Sequence, residues 1–127
     1  MRRLGATTIL AVALALGCGG HPVQKKLAGR WHGARIENVD GEALAAATGW
    51  VKGTSMEFAD DSLTVAIPAE EPRTGKYRVV RVHEDDVRLA VTAADGTVDR
   101  VDLKLDDERA MRWLIGDGRA IVMRREL

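Results

Sequence analysis

Between residues 30 and 125, short runs with an apolar residue at every second position alternate with turns rich in Asp, Gly or Ser. That period of two is the pattern of antiparallel strands with one buried face. The first run, residues 30–37, sets Trp31 on one face and His32, Ala34 and Ile36 on the other, with Gly33 marking a bend or a close approach. Met56 and Phe58 lead through Asp60-Asp61-Ser62 to Leu63, Val65 and Ile67, which reads as a hairpin. Residues 76–83 carry two patterns, Tyr77 with Val79 and Val80 with Val82. A bulge near Val79-Val80, or burial on both faces, would reconcile them. Val87 to Val91, Val101 to Leu105, Met111 to Ile115 and a last run from Arg119 to Arg125 bring the total to about eight strands.

One segment breaks the period. Asn38-Val39-Asp40-Gly41 turns the chain, and residues 42–51 place Leu44, Ala47 and Val51 at helical spacing with Trp50 beside them. Asp40 stands where a helix cap is expected. Gly49 weakens the helix, which therefore depends on packing against the sheet. A loop holding Pro68, Glu70, Glu71, Pro72 and Thr74 reads as exposed and acidic, its prolines unable to donate to a ladder. The fold class that follows is mainly β: an antiparallel up-and-down meander of about eight strands, closed into a small barrel over residues 27–127, with one short helix after the first strand. The inward set runs from Trp31 and Met56 through Tyr77 and Leu103 to Trp113 and Ile115. Side chains of that bulk can fill an eight-strand barrel.

Residues 1–26 follow another pattern. Met1-Arg2-Arg3 is basic, and residues 4–17 form an uncharged, mostly apolar run of 14. Crossing a bilayer as a helix takes roughly 20 residues, so the run reads as a secretory signal peptide, residues 1–17, rather than a permanent span. Residues 18–26 read as an anchor point and a short tether with His21, Pro22 and Lys25-Lys26. Cys18 is the only cysteine, which rules out an internal disulfide.

Charge narrows the partners. Loss of Arg2 and Arg3 with a signal peptide lowers Lys and Arg from 19 to 17, against 19 Asp and Glu. The basic residues are interleaved with acidic ones along the sequence, so no linear basic stripe points to nucleic acid. Catalytic signatures do not emerge. There is no His-Glu-x-x-His, no Gly-x-Ser-x-Gly, no phosphate-binding glycine loop and no cysteine beyond Cys18. His83-Glu84-Asp85-Asp86 has the donor types for a divalent ion but reads as a charged hairpin turn. Asp60-Asp61 and Asp106-Asp107 fall where turns favour Asp, and His32 reads as a surface strand residue. The expectation is a protein that is not an enzyme and holds no metal or cofactor.

Two resemblances add to this. Leu14-Ala15-Leu16-Gly17-Cys18 resembles the lipobox of bacterial lipoproteins, with Gly17-Cys18 as the cleavage pair and Ala15-Leu16 in reverse of the usual order. It implies a diacylglyceryl group on the Cys18 sulfur, an acyl group such as palmitate on its amine, and a stable membrane anchor, since several acyl chains together hold where one does not. Gly19 after Cys18, in place of the Asp that marks retention at the inner membrane, implies the outer membrane. Leu27-Ala28-Gly29-Arg30-Trp31 and Thr74-Gly75-Lys76-Tyr77 resemble the opening and central strands of the lipocalin-like (calycin) barrels. That resemblance implies that Arg124 or Arg125 packs over Trp31 and closes the barrel by a cation–π contact of roughly 0.5–2 kcal/mol. Two functions are then expected: a binding module at the envelope surface that meets an envelope protein, a lipid or a cell-wall component, or a carrier of a small apolar molecule with Trp50, Tyr77 and Trp113 as pocket walls.

Overall fold

The computed structural model describes residues 21–127; the segments read as signal peptide and lipobox, and Cys18 with them, lie outside these. Two helices and eight strands follow in order: α1 (Val23–Leu27), β1 (Gly29–Glu37), α2 (Gly41–Lys52), β2 (Ser55–Ala59), β3 (Ser62–Ala66), β4 (Arg73–His83), β5 (Asp86–Ala93), β6 (Val98–Leu105), β7 (Ala110–Gly116) and β8 (Arg119–Arg125). Each strand pairs antiparallel with the next, and β8 returns to β1, so the sheet closes into a barrel with no free edge. Thr74, read as part of the loop, belongs to β4, where its hydroxyl meets that of Thr64 at 2.8 Å.

Tight turns make the meander possible. Asp60-Asp61, Glu84-Asp85 and Asp117-Gly118 connect their strands with two residues each, and Asp60, Glu84 and Asp117 take positive φ of 54°, 56° and 54°. A first turn residue with positive φ twists with the flanking strands instead of splaying them. The alternation of the turns defines two ends. At one end lie the β2–β3, β4–β5 and β6–β7 turns with the C-terminus; at the other lie α2, the β3–β4 loop and the β5–β6 and β7–β8 turns.

Three bulges set which residues face inward. Register shifts leave Ala34 in β1, Val80 in β4 and Ile115 in β7 as the extra residues. The β4 pattern thus resolves as a bulge: Tyr77 and Val79 face inward before it, Val82 takes the inward parity after it opposite the buried Val87 but stays 37% exposed at the barrel end, and Val80 is left outside at 50% exposure. The β1 bulge overturns the simple alternation of that strand, because Ile36 ends opposite the buried Ile121 and packs against the core. Ile115, expected inside, is turned out for the same reason.

The interior is one packed cluster. Trp31, Met56, Leu89, Leu103, Met111, Ile121 and Met123 are no more than 1% exposed and belong to it together. Both mouths are stopped by helix residues. At the first end α1 contributes Val23 and Leu27, both buried; residues placed in the tether by sequence are therefore part of the folded domain. At the second end α2 contributes Val51 alone, since Leu44 and Trp50 stay exposed at 43% and 39%. The apolar face expected along this helix is thus buried only at its last turn. Asp40 holds the N-cap position with no side-chain hydrogen bond to the helix.

The docking of α2 depends on Gly33. A Cβ there would lie 2.1 Å from the Val51 carbonyl oxygen, and the Gly33 amide donates to the Thr54 carbonyl at 2.9 Å. Thr54, the buried polar residue of this turn, satisfies its hydroxyl on the Trp50 carbonyl at 3.1 Å. Gly49 is the opposite case, with open space around its missing side chain. Gly49→Ala is expected to raise stability by about 0.5–1 kcal/mol through helix propensity, whereas Gly33→Ala lowers it by about 1–3 kcal/mol or more through overpacking. Chemical denaturation of the two variants checks the opposite signs.

Candidate functional site

The most specific constellation in the barrel is the seam where β8 meets β1. Trp31 stands directly opposite Arg125 and His32 opposite Arg124. Residues directly opposite share a face of the sheet, so Arg125 follows Trp31 to the inner side while Arg124 follows His32 outward. The guanidinium carbon of Arg125 lies 4.3 Å from the Trp31 ring centroid. Arg124 is exposed and makes no such contact, which removes it from the closure.

Arg125 does more than stack. Its Nε donates to the Glu108 carbonyl at 2.9 Å, and its two terminal nitrogens donate to the carbonyls of Ala28 and Lys26. Those last two are at the C-terminal end of α1, where helix carbonyls lack partners within the helix and a cation is favoured. Trp31 completes the arrangement by donating from Nε1 to the Leu27 carbonyl at 2.9 Å. One planar cation thus ties together the last strand, the first strand, the β6–β7 turn and α1. The Arg125 and Glu126 amides add 2.9 and 2.8 Å bonds to the Arg109 and Arg30 carbonyls. The backbone acceptors carry no side-chain signature, and sequence reading did not find them.

The three aromatic residues expected to wall a pocket are not brought together. Tyr77 is buried and meets Phe58 edge-on, with ring centroids 5.3 Å apart at 85°. Trp113, half-buried, packs against the core from β7 opposite Leu103 and Ile121. Trp50 sits on α2, exposed, at the second end of the barrel. Burial pushes the Tyr77 hydroxyl above its ordinary pKa, an effect that a hydrogen bond from the Gln24 side chain opposes and the nearby Asp61 charge reinforces.

Open depressions mark the surface of the described residues. A groove of about 750 Å³ at the first end runs between α1 and the β4–β5 and β6–β7 turns, with Val23, Val82 and Leu105 among its apolar residues and Lys25, Asp85 and Arg109 among its charged ones. A shallower one of about 330 Å³ lies on the outer wall between Arg81, Arg88, Asp102 and Leu114. Neither is lined by Trp50, Tyr77 or Trp113.

The other sequence candidates lie in turns or on the strand surface. His83 Nδ1 is 3.8 Å from Glu84 Oε1, with both side chains exposed. His32 Nδ1 is likewise exposed and lies 3.8 Å from Glu126. Asp107 accepts from the Arg109 and Ala110 amides at 2.7 and 2.9 Å, and Asp106 is bridged by Arg112 Nε and Nη2. Among the described residues no three His, Cys, Asp or Glu side chains converge as a metal site. The chain matches no known protein-family model, no curated protein and no solved structure.

Trp31→Ala should cost roughly 3–5 kcal/mol, as other buried Trp truncations do. Arg125→Lys should cost about 1.5–3 kcal/mol, since a lysine keeps the charge but not the fork that reaches three carbonyls. Urea unfolding of both variants measures this. Tyr77 sets a pH dependence. Its pKa is raised in the folded state, so the neutral hydroxyl's contribution is whole below the unfolded value near 10 and is lost as pH rises through the folded one. Wild-type stability is expected to fall more steeply above about pH 10 than that of Tyr77→Phe. Thermal melts across that range compare the two, and because the chain has a single tyrosine, its ultraviolet titration reads the raised pKa directly.

Proposed function

We propose that the chain is a bacterial envelope lipoprotein, anchored through lipid on Cys18 at the outer membrane, whose lipocalin-like barrel is a binding module for a component of the envelope. The anchor is supported by sequence alone: a basic start, an uncharged run of 14 residues and a lone cysteine behind Gly17. The lipocalin-like assignment is supported by the closed eight-stranded meander and by a basic residue of the last strand lying over the tryptophan of the first.

The binding role rests on one observation. The barrel is stopped at both mouths, by Leu27 and Val23 at one and Val51 at the other, and a packed cluster fills the space between. Ligand contact then falls to the outer surface and the groove beside α1. This favours an interaction module over a carrier with its cargo inside, because internal carriage needs an apolar cavity of about 300 Å³ or more.

Cys18→Ser, expressed in a bacterial host, is expected to leave the protein unprocessed or to release it from the membrane fraction. Fractionation with mass spectrometry of the N-terminal peptide reads the outcome, and a variant that stays lipidated and membrane-bound would overturn the anchor.

A further inference from the structure

The outer wall formed by β4, β5 and β6 is cationic, although Lys and Arg only equal Asp and Glu in the chain, 19 each. Pairing places Arg78 and Arg100 on either side of Ala90, and in the next row Arg81 directly opposite Arg88, which faces Asp102 on its other side. Lys76 and Lys104 share the face. Asp86 and Asp102 are the carboxylates these strands add to it, Asp99 having the opposite parity beside Val91. The wall therefore gathers six cations and two anions in a small area. By contrast, the outward residues of β2 and β3, among them Ser55, Glu57, Ser62 and Thr64, include no cation.

Like charges directly opposite across a strand pair repel, so Arg81 beside Arg88 weakens the isolated barrel. Asp102 relieves part of this, taking Arg88 Nε at 2.9 Å and Arg100 Nε at 3.1 Å. The ion pairs of this wall engage Lys76, Arg88, Arg100 and Lys104 and leave Arg78 and Arg81, both exposed, without a carboxylate partner among the described residues. The β4 bulge pushes Val80 out between those two arginines, at 50% exposure, and Leu114, 40% exposed, borders the shallow depression next to Arg81. Apolar tips among unpaired arginines suit a headgroup layer, where the charge meets phosphate and the tip meets acyl chain. They suit a nucleic acid less well, because these outward positions hold no Phe, Tyr or Trp ring on which successive bases could stack.

The path of the chain points the same way. His21, the first described residue, borders the groove that Val82, Glu84 and Asp85 of the β4–β5 hairpin also line. Cys18 is three residues earlier in sequence, a reach of at most about 10 Å. We propose that the β4–β5–β6 wall is a lipid-docking face, on which Arg78, Arg81, Arg88 and Arg100 meet the phosphates of an anionic bilayer surface and Val80 enters the headgroup region. The setting rests on the anchored-lipoprotein reading; the test does not.

In residues 18–127 carrying Cys18→Ser, so that neither the apolar run of residues 4–17 nor an acyl anchor contributes in any arm, co-sedimentation with phosphatidylcholine vesicles is compared with and without phosphatidylglycerol. Binding is expected only where phosphatidylglycerol is present and is weakened by added salt. Arg78→Gln with Arg81→Gln should then bind about twenty-five-fold more weakly, at roughly five-fold per basic residue. Lys52→Gln with Arg119→Gln, an equal loss of charge at the other end of the barrel, should stay within about two-fold of the parent. Circular dichroism and thermal melts establish that each variant is folded. Equal loss in both doubles, binding that ignores phosphatidylglycerol, or tighter binding to single-stranded DNA than to the vesicles would overturn the docking face. Retention of Cys18→Ser in cell membranes bears on the anchor and leaves this comparison intact.

Discussion

The closing seam of the sheet is a backbone ladder fastened at one end by a single guanidinium. A meander of eight strands has two edges until β8 finds β1, and the contact that distinguishes this seam from the hairpin seams is Arg125 over Trp31 with three carbonyls in reach. Most consecutive strands are joined by connections of two to six residues; β1 and β8 are nearly the whole domain apart in sequence and must be brought together by packing and hydrogen bonds alone. The planar fork of arginine suits that task because its donors are fixed in one plane and its faces stack on indole. The same group fills the vacancy at the end of α1, so the stopper at that mouth and the closing seam form as one unit.

The strands were legible because each needs only a local period of two, and that period is written in the residues themselves. Runs such as Leu63-Thr64-Val65 or Val101-Asp102-Leu103 announce their faces without reference to a partner. The bulges were legible only where they disturbed the pattern. Val79-Val80 did so visibly; Ala34 and Ile115 did not, because a small or apolar residue passes as either face, and the parity of Ile36 and Ile115 was lost with them. The short helix α1 was invisible for a different reason. Val-Gln-Lys-Lys-Leu is too short to show a helical period, and its buried residues Val23 and Leu27 are exposed or covered according to what lies beneath them.

The choice between Arg124 and Arg125 shows the limit most clearly. Adjacent arginines at a strand end have opposite parity, and which of them reaches Trp31 follows from the register of β8 on β1, a pairing across about ninety residues of chain. The cationic wall is the same kind of object. Its arginines are scattered among acids in the sequence, which read as neutral and interleaved, and only cross-strand pairing assembles Arg78, Arg81, Arg88 and Arg100 on one side. A pocket of aromatic residues was expected from residue type alone, and Trp50, Tyr77 and Trp113 lie instead on a helix surface, in the core and at its margin.

The position of α1 also decides how the domain bears mechanical load. A pull on the residues before His21 enters the fold through Val23–Leu27, whose last carbonyls are gripped by Arg125 from β8. Tension is thereby divided between the covalent path into β1 and the clamp into β8, and β1 and β8 are drawn together instead of peeled one from the other. A barrel tugged from its first strand alone would open like a zipper, one rung at a time. This one shares the force across its seam, so the bonds most exposed to the pull are the ones that hold the sheet shut.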